Sequence, residues 1–81
     1  MTYKNTQNNM KTFNQILLDF MQSKKPDELR LGQHAFNFIH DIEPDIANEI
    51  RGTDKDCFYS NDKMSEFLEE VNKLYNKKYN L

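Results

Sequence analysis

Gly52-Thr53-Asp54-Lys55-Asp56-Cys57-Phe58-Tyr59-Ser60-Asn61-Asp62 is a polar-aromatic connector, and on both sides of it apolar residues recur at helical spacing. After it, Met64, Phe67, Leu68, Val71, Leu74 and Tyr75 fall on one stripe of a helix, with Asn61 or Asp62 suited to cap its start. Glu69 and Lys73 add a favourably oriented i,i+4 pair on the wet side. Before the connector, Arg51-Gly52 reads as a helix stop: a cation in the last turn, then a residue that adopts the left-handed cap. Pro44 and Asp45 suit the opening of a short helix whose Ile46, Ala47 and Ile50 face inward.

Further back, Leu31, Ala35, Phe38, Ile39 and Ile42 make a tight helical stripe, opened by Pro26-Asp27-Glu28 with its early proline and first-turn carboxylates. Leu29 and Phe36 lie away from that stripe, near Gln33 and His40. A helix with two apolar sides is either central in a bundle or keeps its second side for a partner. Gly32 costs about 1 kcal/mol relative to Ala inside a helix, which points to a close helix approach or a late helix start. A first helix carries Met10, Phe13, Ile16, Leu17, Phe20 and Met21 on one side and ends at Ser23-Lys24-Lys25-Pro26. The expected fold is all-α, a compact irregular bundle of about four helices with the third short. One helical domain spans residues 10–75, residues 1–9 are polar and expected to fray, and residues 76–81 read as a basic tail.

A chain of 81 residues and 9.7 kDa has room for one modest core, and folding buries only roughly 60–65% of the unfolded surface. Mean hydropathy is −0.93, yet the apolar residues cluster periodically, as in a folded chain. A net charge of −2 with mixed signs argues against a general nucleic-acid binder. Cys57 stands alone, so no internal disulfide forms and a reducing compartment fits. Residues 1–9 lack the apolar centre of a signal peptide, and no apolar run reaches the roughly 20 residues that span a bilayer. The expected location is the cytoplasm.

Asp54, Asp56, Asn61 and Asp62 could offer oxygens to a hard cation, but Phe58, Tyr59 and Ser65 stand where an EF-hand needs a ligand, a glycine and a glutamate. The plainer reading carries more weight: the acids form turns and caps, while Phe58 and Tyr59 pin the loop onto the core. Cys57 lacks an evident base, because His34 and His40, six residues apart, point in different directions on one helix. It reads as a small buried residue, and the histidine spacing also excludes an i,i+3 or i,i+4 metal pair there. GxGxxG, P-loop, GxSxG, HExxH and CxxC patterns are all missing. No enzyme, no cofactor and no metal is expected. Lys73, Lys77 and Lys78 with Tyr75 and Tyr79 give a weak, salt-sensitive footprint for nucleic acid. The break at Pro44 has the outline of a helix-turn-helix, but Asp45-Ile46-Ala47-Asn48-Glu49-Ile50-Arg51 carries two acids and one base.

The run Arg30-Leu31-Gly32-Gln33, then Asn37, Pro44, Ala47, Arg51-Gly52-Thr53-Asp54, Asp56-Cys57-Phe58-Tyr59 and Phe67-Leu68, resembles a group of small uncharacterised proteins of phages, prophages and some bacterial chromosomes. The similarity covers roughly residues 29–71 and implies no activity; it implies an accessory protein acting in a bacterial cytoplasm. The function expected from these readings is a non-enzymatic protein-interaction module, as a phage or mobile-element modulator of a host or defence protein. Its contact surface would use Leu29, Gln33, Phe36 and His40 with Asp54, Asp56 and Tyr59. The alternative is a weak nucleic-acid-binding accessory protein using the C-terminal tail. Least favoured is a cation or thiol enzyme at Asp54, Asp56 and Cys57. The apolar helix surface is also compatible with a homo-oligomer.

Overall fold

The computed structural model of the chain describes residues 11–81; the expectations for residues 1–9 and for Met10 lie outside the described residues. Among the described residues the chain forms helices α1 (Phe13–Gln22), α2 (Leu31–Ile42), α3 (Pro44–Ile50) and α4 (Met64–Tyr79), with one 3-10 turn at Asn61–Lys63 and no strand. The fold is all-α, with a short third helix, as the periodicity indicates. None of these helices is long and apolar enough to cross a membrane.

Thr12 caps α1, its hydroxyl accepting from the Gln15 amide at 3.2 Å, and Ser23 closes the helix with both its amide and its hydroxyl on the Phe20 carbonyl. Helix α2 opens later than its local signals suggest. Pro26 and Leu29 instead close a turn, the Leu29 amide donating to the Pro26 carbonyl at 3.1 Å, while Lys25 Nζ holds the Leu29 carbonyl at 2.7 Å. Arg30 is extended and caps nothing with its side chain. The Gly32 amide, unpaired within the first turn, finds its acceptor 29 residues away in Asn61 Oδ1 at 2.7 Å. The start of α2 is therefore set by a tertiary cap. The same bond removes Asn61 from the expected role of capping α4, whose first turn is preceded instead by the 3-10 turn.

The core departs from the expected α2 stripe. Ala35, Phe36 and Ile39 are buried, while Leu31 and Ile42 remain 44% and 45% exposed. Helices α3 and α4 pack over the Phe36 side, where Ile46, Ala47 and Ile50 meet Phe67, Val71 and Tyr75. Phe36 is 2% exposed, its ring centroid 5.6 Å from those of both Phe58 and Phe67. Helix α1 joins through Phe13 and Ile16, and Phe20 packs edge-on against Phe38 at 5.4 Å.

Residues 76–79 are helical rather than a tail. Lys78 bonds Glu43 at 2.7 Å and Asp45 at 3.0 Å, and the Tyr79 hydroxyl donates to Glu43 at 2.6 Å. Glu43 sits at the α2–α3 break, so a carboxylate that no helix uses internally anchors the last turn of α4. Asn80 then ends the helix in the left-handed conformation, with φ of 62°.

Candidate functional site

The connector is held at almost every residue. Gly52 takes a φ of 79°, and Thr53 donates through its amide and its hydroxyl to the Ile50 carbonyl. Asp56 accepts from the Gly52 amide with one oxygen and from the Phe58 amide with the other, both at 2.8 Å. Cys57 is fully buried, and its thiol donates to the Gly32 carbonyl at 3.2 Å. Arg30 Nη2 donates to the Phe58 carbonyl at 2.8 Å. Phe58 packs edge-on against Phe36 and, at 4.9 Å, against the ring of Tyr59. Of the two aromatic side chains of the connector, Tyr59 projects, 82% exposed, while Phe58 is half-buried. Phe58 thus pins the loop as expected, and Tyr59 does not.

Phe36, Asp56 and Tyr59 line one cleft of about 260 Å³ together with Arg51 and Phe58. His40 does not line it; its ring stacks on Phe36, with centroids 6.2 Å apart and an interplanar angle of 21°. The guanidinium of Arg51 lies over the Phe36 ring, 5.5 Å from its centroid. Leu29, Gln33 and Asp54 do not line the cleft: Leu29 sits in the turn before α2, Gln33 is half-buried on α2, and Asp54 is exposed. Phe36 belongs to the core and cannot itself meet a partner, which corrects its assignment to the contact surface. Arg51 and Phe58 are the cleft residues that the contact-surface reading missed. Arg51 carried only a helix-stop signal, since its place over Phe36 depends on how α3 packs on α2.

Among the described residues no group of three or more His, Cys, Asp or Glu side chains is placed to hold a metal ion. Burial, helped by the charge of Asp56, pushes the Cys57 thiol up to about 11. His34 instead meets the Ser23 hydroxyl at 2.9 Å, and His40 lies on Phe36. The hydrogen bonds of Lys78 to Glu43, and then to Asp45, raise its ammonium well above the ordinary lysine range. Both raised groups shift stability in the same direction. Below about pH 9 the folded and unfolded thiols are both protonated; between 9 and about 11 only the unfolded chain releases the proton, which favours unfolding. The melting temperature should therefore fall as pH rises through that window, with Lys78 adding a further loss above its ordinary value of 10.5. Thermal melts across the range check this, and Cys57→Ala should reduce the fall between 9 and 11, leaving the share of Tyr75 and Tyr79, whose hydroxyls are also raised above the ordinary 10.0. A melting temperature unchanged up to about 11 would refute the buried thiol.

The nucleic-acid alternative loses part of its footprint. Tyr75 is buried, its hydroxyl donating to the Lys11 carbonyl, and Lys78 and Tyr79 are engaged with Glu43. Lys73 and Lys77 are left exposed. A second, larger groove of about 680 Å³ lies between α1, α2 and α4, walled by Ile16, Phe38, Ile42, Tyr75 and Tyr79. Lys11, the first described residue, is part of its wall, and its carboxylates are already paired: Asp19 with Lys11 at 2.6 Å and Glu43 with Lys78. Comparison with known proteins returns no match, whether to a protein-family model, a curated protein or a solved structure.

Proposed function

We propose that this chain is a non-enzymatic protein-interaction module that docks its partner on the Tyr59 side of the connector. One observation carries the reading: a tyrosine 82% exposed stands on a loop whose neighbours are all fixed by hydrogen bonds or burial. A large aromatic side chain held on a rigid support loses little freedom when it binds, which is what makes such residues anchors of protein interfaces. Arg51, which lines the same cleft, supplies a polar contact beside the anchor. The resemblance to small phage and prophage proteins supports a narrower form, a mobile-element protein that modulates a host or defence component of the bacterial cytoplasm.

The test is capture from a bacterial lysate by the tagged full chain, compared with Tyr59→Ala and Arg51→Gln. Both side chains are exposed, and the contacts they lose are one cation–π and one ring-edge contact, so stability should change by no more than about 1 kcal/mol. The captured protein should be reduced at least about tenfold in the Tyr59 variant, equivalent to about 1.4 kcal/mol. A partner retained in full by both variants would overturn this surface.

A further inference from the structure

The chain has only two arginines, Arg30 and Arg51, and both reach the aromatic cluster of the connector. Among the described residues neither forms an ion pair, whereas Lys11, Lys55 and Lys78 all do. The one carboxylate in the cleft, Asp56, commits both oxygens to the amides of Gly52 and Phe58. Arg51 therefore lies over the Phe36 ring, and among the described residues no carboxylate pairs with it. Beside it stand the rings of Phe58 and Tyr59, a continuous apolar wall. At about 260 Å³ the cleft falls just below the size of usual small-molecule pockets and suits one or two side chains.

Resting on the docking reading above, we infer that the partner presents an acidic segment, an Asp or Glu carboxylate adjacent to an aromatic or large aliphatic residue. The carboxylate pairs with Arg51, whose planar guanidinium matches it with two parallel donors, and the apolar neighbour covers Phe58 and Tyr59. Charge favours this occupant over a nucleic-acid backbone. The cleft is lined by one cation, Arg51, in a chain of net charge −2 whose connector carries Asp54, Asp56 and Asp62, so a run of phosphates finds a single counter-charge there where a lone carboxylate needs no more.

Selection of a displayed random-peptide library on the immobilised full chain tests the inference, each selected peptide being measured against wild type, Tyr59→Ala and Arg51→Gln. Peptides that depend on Tyr59 should carry an acid next to an apolar residue. They should weaken about tenfold on Arg51→Gln and by a similar factor when their own carboxylate is replaced by the amide. Added salt should weaken them, and a single-stranded oligonucleotide should not displace them. Tyr59-dependent peptides that lack acids, or that bind Arg51→Gln as well as wild type, overturn the acidic partner and leave the docking surface standing. Displacement by the oligonucleotide also overturns it. Selected peptides that all ignore Tyr59 overturn the docking surface itself.

Discussion

Phe36→Ala is expected to lower the unfolding free energy by about 3–5 kcal/mol, the usual loss when a fully enclosed aromatic ring is removed. A chain of this length has roughly 4–12 kcal/mol in total, so a large share of the variant would be unfolded at moderate temperature. The ring contributes more than its own buried area. Phe58 and Phe67 both pack on it at 5.6 Å, His40 stacks on it, and Arg51 lies over it. Its loss leaves a hole where α2, α4 and the connector meet, and these elements cannot all close in at once. Urea unfolding followed by circular dichroism measures the effect; a loss under about 1 kcal/mol would refute the central position given to Phe36. The result also decides how docking can be probed. A Phe36 variant that fails to bind a partner reports a failed core, while Tyr59 and Arg51 can be changed with the core intact.

Gly32→Ala is the second large effect, and here two forces oppose. Alanine is the better helix former by about 1 kcal/mol, so local propensity alone predicts a gain. However, a Cβ at Gly32 would lie 2.3 Å from the Cys57 carbonyl oxygen and 3.0 Å from that of Ser60. Both are backbone atoms and cannot rotate away as the end of a side chain can. Relief requires the connector to lift from α2, which breaks the thiol bond to the Gly32 carbonyl and lengthens the Asn61 cap. Overpacking should win, for a net loss of about 2 kcal/mol or more. The displaced Cys57 should then react with a thiol reagent that the wild-type chain resists. A variant more stable than wild type would show that α2 and the connector do not touch this closely.

The elements legible from sequence were those whose signals are local. Helix α4 follows its stripe, with Phe67, Val71 and Tyr75 buried at i, i+4 and i+8. Helix α3 opens on Pro44 and stops before Gly52 because both residues act through their own backbone. The late start of α2 was legible only as one of two readings: Gly32 pointed to it, while Pro26-Asp27-Glu28 is a sound local opening and the residue that overrides it, Asn61, lies 29 positions on. Phe36 was misplaced for a related reason. The helical wheel shows two apolar sides of α2, and which one is buried depends on where α3 and α4 settle. Lys78 and Tyr79 look like a solvated end until Glu43 is brought beneath them. Of the site, the connector with Asp56 and Tyr59 was readable from residue types. The setting of Arg51 over Phe36 and the reach of Arg30 to Phe58 are tertiary and leave no local pattern.

The contact between Gly32 and the connector has a consequence for the order in which the molecule assembles. Helices α2 and α3 are joined by a single residue and can pack almost as soon as they form. The seat of the connector closes a loop of 25 residues between Cys57 and Gly32, and it fits only once the α2 backbone is already helical. Contacts that must wait for both a long closure and a finished template belong late on a folding route. The same contact is what presents Tyr59. A nascent or partly denatured chain can therefore hold most of its helices while the seat that holds Tyr59 out from the fold is not yet built.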